Sequence, residues 1–176
     1  MNRKHQWGNY SEPLEQQKRY LHHLGLGYQG EKAVGTLLVK NLPDTFVVCH
    51  DVQIDGENID HIVIGDHTIF VIEVKTTEKN NWSSSRMRNT NKQIMRQVSW
   101  LKEFLHPFFQ KNYWVEAILV VVSDRPFHVD DDVVGTVRIA SLSNLIHEIL
   151  ETDYARHCQP ISEEQKMKIV YCLNSI

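Results

Sequence analysis

Residues 57–75 read ENIDHIVIGDHTIFVIEVK, and the arrangement of this stretch decides how the rest of the chain is organised. Ile59 to Ile64 and Thr68 to Val74 are rich in β-branched residues and are joined through Gly65-Asp66-His67, the composition of two strands and a tight turn. The second strand, TIFVIEV, is apolar on both faces until Glu73, the pattern of a central buried strand. If Asp66-His67 forms a two-residue turn, Gly65 faces Thr68 and Asp60 lies directly across from Glu73, their Cβ atoms about 4.5–5.5 Å apart. If Gly65-Asp66 forms the turn, Asp60 faces Val71 and is a diagonal neighbour of Glu73 on the same face. Under either turn the two carboxylates converge. Lys75, two residues beyond Glu73, points to that face as well.

Working outward, Thr45 to Val52 reads as a preceding strand, with Asp55-Gly56-Glu57-Asn58 as the turn between. Upstream, Ser11 is a plausible N-cap for a helix carrying Leu14, Leu21 and Leu24, which GLGYQG is expected to break. A second helix opens at Gly30-Glu31, with Val34, Leu37, Leu38 and Leu42 as its apolar stripe. Downstream, TTEKNNWSSSRMRNTN is expected to loop over one end of the sheet. A helix from about Asn91 to Phe109 follows, with Ile94, Val98, Leu101 and Leu105 on one side. Val115 to Val122 is the clearest strand in the chain. Val137 to Ala140 reads as a short further strand, and Leu142 to Leu150 and Glu163 to Leu173 as closing helices. The order helix, three strands, helix, strand predicts an α/β domain: an α-β-β-β-α-β core with a mixed central sheet flanked by helices. The expected organisation is an N-terminal helical segment, 1–26, ahead of one domain, 27–176.

A length of 176 residues suits one ordinary domain, and 41% apolar with 23% charged residues is the balance of a soluble globular protein. No apolar run reaches the roughly 18 residues needed to cross a bilayer, and no signal peptide is visible, so a cytoplasmic location without membrane contact is expected. Cys49, Cys158 and Cys172 are odd in number and widely spaced, which argues against a disulfide framework. The histidines lack finger or HxxxH spacing and read mostly as surface or loop residues. A net charge of −3 is wrong for bulk coating of nucleic acid. Between Glu73 and Glu103, however, seven basic residues stand against three acidic ones, a local basic excess that a solvated helix face would also produce.

Two carboxylates and an ammonium at the end of an apolar strand have a chemical meaning. Like charges at this distance repel unless a cation lies between them, and a pair of carboxylates with waters suits the oxygen-rich octahedral preference of Mg²⁺. Such a site would polarise a phosphoryl oxygen and acidify a water, with Lys75 orienting the nucleophile or offsetting charge. Taken alone, an acidic residue two positions before a lysine is common, often a surface ion pair worth little. The buried strand and the converging Asp60 set this instance apart.

The pieces GYQGEKAVGTLL, ENIDHIVIGDHTIFVIEVK and NTNKQIMRQVSWLKEFL, in this order, resemble the nuclease-related domain (NERD) family, a branch of the PD-(D/E)xK nuclease superfamily. The resemblance covers about Gly27 to Leu105 in its motifs and implies a restriction-endonuclease-like fold. It further implies a metal-dependent nuclease using Mg²⁺ or Mn²⁺, with nucleic acid, DNA ahead of RNA, as substrate and partner. Asp60, in Ile-Asp-His, would be the first metal-binding carboxylate. Glu73 and Lys75, in Ile-Glu-Val-Lys, would be the second carboxylate and the catalytic lysine, and Glu31 an auxiliary acidic residue. Gln93 matches the glutamine that follows an Asn-Pro pair in the family's later helix. Here the pair is Asn89-Thr90, so Gln97, one turn on, is the alternative.

Each residue also has a plainer reading: Glu31 favouring a helix dipole, Gln93 an exposed helix position, His61 a structural hydrogen-bonding partner. Trp82 would either stack on a base or cover the core edge, and Asp130-Asp131-Asp132 reads as a solvated loop. The competing function is a non-catalytic nucleic-acid- or protein-binding module that retains the fold. A purely structural α/β module with a Glu73–Lys75 ion pair is the third reading.

Overall fold

A computed structural model describes residues 11–54, 56–78, 83–109, 113–124, 136–156 and 159–175; Trp82, Asp130-Asp131-Asp132 and Cys158 lie outside them. The elements run α1 (Ser11–Asn41), β1 (Val47–Ile54), β2 (Glu57–Ile64), β3 (Thr68–Thr76), α2 (Ser84–Phe109), β4 (Trp114–Val122), β5 (Arg138–Ala140), α3 (Leu145–Tyr154) and α4 (Glu163–Leu173). The strands form one mixed sheet in the order β1-β2-β3-β4-β5. The β1-β2-β3 meander is antiparallel, and β4 and β5 add parallel to β3. This is the α/β arrangement expected from the element order and the restriction-endonuclease-like fold that the resemblance implies.

The sheet buries both faces, which is why β3 reads as a continuous apolar run: Thr68 through Val74 are all buried. On one face Ile62, Ile69, Val71 and Leu119 pack with Ile94, Val98 and Leu101 of α2 and with Ile169 and Leu173 of α4. On the other, Val63, Phe70, Ile72 and Val120 pack with Val34 and Leu38 of α1 and with Leu145 and Ile149 of α3.

Two expectations are corrected. GLGYQG does not break the first helix; α1 runs unbroken for 31 residues, and the expected boundary at 26/27 falls within it. Each interior glycine costs about 1 kcal/mol, but ending one helix and nucleating another is costlier still. A Cβ on Gly30 would overlap the Thr76 hydroxyl, so this glycine lets α1 lie close against the end of β3. Second, the polar run before Asn91 is not all loop. α2 begins at Ser84, the Ser83 hydroxyl accepts the Arg86 N–H at 3.3 Å, and Met87 and Thr90 are buried. Met87 extends the Ile94 stripe back by two turns at helical spacing.

The β2–β3 turn is Asp66-His67: the Gly65 N–H donates to the Thr68 carbonyl at 2.8 Å, and His61 pairs with Ile72 through to Ile64 with Ile69. Two distant residues hold it. Asp153 of α3, fully buried, accepts the backbone N–H groups of Asp66, His67 and Thr68 at 3.2, 3.0 and 2.8 Å. Lys166 of α4, also fully buried, donates to Asp66 Oδ1 at 2.7 Å and to the Thr45 carbonyl at 2.5 Å. A Cβ on Gly65 would stand 2.5 Å from Asp153 Oδ1, so only glycine fits there.

Replacing Asp153 by alanine leaves three backbone donors, one buried and two half-buried, without their acceptor and is predicted to remove about 3 kcal/mol of stability, lowering Tm by roughly 6–12 °C. Thermal unfolding followed by circular dichroism checks this; a Tm within about 2 °C of wild type would show that the turn holds itself.

Candidate active site

The observed turn aims Asp60 at Glu73. The regular ladder stops at His61–Ile72, and the Asp60 side chain replaces the next backbone bond, its Oδ2 accepting the Val74 N–H at 2.7 Å. The β1–β2 ladder also skips this position. It passes from His50–His61 to Val52–Ile59, with Asp51 in the left-handed region at φ 52° and its Oδ1 accepting the Asn58 amide at 2.7 Å. Backbone irregularity of this kind concentrates at functional sites.

Glu73, at 2% exposure, is a buried carboxylate and needs donors. Lys75 supplies one through its ammonium on Oε1. Gln93 donates to the same oxygen at 2.8 Å and Gln97 to Oε2 at 3.0 Å. The sequence leaves Gln93 and Gln97 as alternatives; the structure brings both, because residues four apart share one face of α2. Gln97 is fully buried and also donates to the Asn58 carbonyl at 3.0 Å, while its own Oε1 has no hydrogen-bond partner.

Glu31 is half-buried on α1, close enough that its charge acts on Asp60 and feels Lys75 and Glu73. Three carboxylates therefore face one ammonium. Burial first, then the Glu73 charge, push Asp60 up to about 7, against the pull of the Val74 N–H and Lys75. Burial raises Glu31 above the ordinary carboxylate value too.

His61 is the structural hydrogen-bonding partner expected of it. It is buried, with Nε2 3.2 Å from the Glu31 carbonyl and Nδ1 2.9 Å from His50 Nδ1. A carbonyl only accepts, so the partners assign the proton to Nε2 and make Nδ1 the acceptor from His50. Burial, then His50, lower its pKa to about 4, which fits a neutral ring tying β2 to α1 beside Glu31.

Among the described residues no group of three or more His, Cys, Asp or Glu side chains forms a metal cage. The donor set instead fits an ion that takes one or two carboxylates and keeps several waters, as Mg²⁺ does. Asp60 Oδ1 has no hydrogen-bond partner among the described residues, and the excess of carboxylates over ammonium favours a cation. None of the described helices is long and apolar enough to cross a membrane.

A mixed five-stranded sheet with acidic residues and a lysine at the end of its central strands is the architecture of PD-(D/E)xK-like nucleases. The family description "Nuclease-related domain" (NERD) matches residues 26–122, more than half the chain, and the protein belongs to that family. An uncharacterized protein of Bacillus anthracis is 34% identical over 97 residues, a match covering 52% of this chain and 44% of that relative. No solved structure matches.

Asp60 holds its proton more tightly folded than its ordinary value of 3.8 would allow. The stability it contributes is full below about pH 4 and lost as pH rises through about 7. Asp60→Asn lacks that loss. In metal-free buffer near pH 8 it is predicted to melt about 3–6 °C above wild type, with the gap narrowing below about pH 7 and closing near pH 4. Differential scanning calorimetry across pH reads this directly; a wild type more stable than the variant at the higher pH would refute the raised pKa.

Proposed function

We propose that the protein is a divalent-metal-dependent nuclease that hydrolyses phosphodiester bonds in nucleic acid, with DNA as the first substrate to test. The observation that carries this reading is the convergence of Asp60, Glu73 and Lys75 at the end of a buried strand, with Glu31 beside them. Asp60 and Glu73 would hold Mg²⁺ or Mn²⁺. The bound ion would supply charge neutralisation at the phosphoryl group and acidify a water.

The chain's own groups divide the remaining work. Lys75 orients the attacking water and offsets negative charge that builds on the phosphoryl oxygens. Gln93 and Gln97 fix the Glu73 carboxylate from both of its oxygens, so its position is set before metal or substrate arrives. Glu31 adds negative charge on the α1 side, which strengthens cation binding. His61, neutral and buried, holds the α1 backbone at Glu31 against β2.

One observation favours a second reading. Both Glu73 oxygens already have protein donors, so the motif is self-satisfied without metal, as in a binding module that keeps the fold. Cleavage assays on plasmid, linear and single-stranded DNA and on RNA, with Mg²⁺ or Mn²⁺, separate the two. Wild type is predicted to cut in metal, and Asp60→Ala and Lys75→Ala to lose at least about 100-fold in rate while remaining folded. Variants that cut as well as wild type would remove these residues from the site. Nucleic-acid binding with no cutting by wild type would favour the binding module.

A further inference from the structure

A groove of about 560 Å³ opens between α1 and the β1–β2 hairpin, and Asp60 and Glu31 lie in its wall. The α1 residues that line it, from Tyr28 through Lys32 and Gly35 to Lys40, recur at helical spacing along three turns of one face. That face is about 18 Å long at 1.5 Å per residue. The groove runs along this face and is open to solvent. Its floor is kept low by Gly35, where a Cβ would press on the His50 and His61 rings at 3.2 and 3.3 Å.

The carboxylates of Glu31, Asp51 and Asp60 stand in the wall, where a cation is expected. Lys32, the residue after Glu31, and Lys40 are exposed on the same stretch of α1, eight residues and so about 12 Å apart on the helix. Tyr28 is 65% exposed one turn before Glu31, an aromatic ring left in water beside the acidic end. A stacking ring, cations along a groove and an adjoining proposed hydrolytic site are the parts a single nucleic-acid strand would use, and none of them reads sequence.

We propose that this groove is the substrate track, taking one unpaired strand of nucleic acid, with Tyr28 stacking on a base next to the scissile phosphate and Lys32 and Lys40 meeting backbone phosphates. The proposal rests on the nuclease reading for what happens at Asp60, but binding in the groove does not require cleavage. Tyr28 can stack only on a base whose face is free, so a duplex would have to open or present an unpaired end before its base could meet the ring.

Fluorescence anisotropy with a labelled oligothymidylate of about 12 nucleotides and a duplex of the same length tests the track. Ca²⁺ replaces Mg²⁺, and the probes are checked on a gel for being intact afterwards. Wild type is expected to bind the single strand at least about 10-fold more tightly than the duplex, with Tyr28→Ala weakening single-strand binding by roughly 5- to 100-fold. Lys32→Ala/Lys40→Ala is expected to reduce the slope of log affinity against log salt by about 1.4, two single-strand phosphates' worth. All three side chains are exposed, so these substitutions leave the core untouched.

Tighter duplex binding, no binding of either probe, or groove variants that bind like wild type would overturn the proposal. The two claims fail separately. If Asp60→Ala abolishes cleavage while the groove variants bind and cut like wild type, the track is wrong and the nuclease reading stands. If wild type cuts nothing but binds the single strand through Tyr28 and the lysines, the track stands and the nuclease reading falls.

Discussion

A carboxylate buried at the end of an all-apolar strand has to be given donors, and meeting that need for Glu73 ties the site to the fold. Its partners come from two elements. Lys75 arrives by strand alternation, while Gln93 and Gln97 arrive because α2 packs its Ile94 and Val98 face on the sheet. Charge-assisted bonds of this kind are among the stronger ones a side chain makes, and leaving such a group unpaired would be far costlier than never burying it. The apolar packing of α2 and the polar wiring of Glu73 therefore enforce the same register.

Asp60 is placed by a different device. The hairpin turn is fastened from behind by Asp153 and Lys166, so β2 cannot slip against β3 without breaking buried polar bonds. A slip of one residue would carry Asp60 to the opposite face of the sheet. The C-terminal helices, which contribute nothing to the cluster itself, thus hold its geometry from the far end of the hairpin. At the cluster end the ladder gives way to the Asp60 side chain and to left-handed Asp51, an arrangement that favours placement of charge over sheet regularity.

Much of this was legible in the chain because it obeys local rules. The turn at Gly65-Asp66-His67 and the period of two from Glu73 to Lys75 bring three charged residues together without knowledge of the rest. Element order was equally readable, and α4 has the bounds its apolar spacing predicts. What escaped depends on partners far away in sequence. Asp153 and the turn it holds are more than 80 residues apart, and nothing around Asp153 marks it as buried. The glycines of GLGYQG read as a break because their local preference is real; the helix continues because its flanking turns and the docking at Gly30 outweigh it. Both glutamines reach Glu73 because only the packed helix fixes which face of α2 looks at the strand.

The proposed cation site of Asp60 and Glu73 is read most directly by Mn²⁺ binding followed by electron paramagnetic resonance, without reference to any substrate. Wild type should titrate with a specific site that is lost in Asp60→Asn and in Glu73→Gln, each shown to be folded by circular dichroism. Mn²⁺ bound equally well by both variants, or by none of the three proteins, would contradict it.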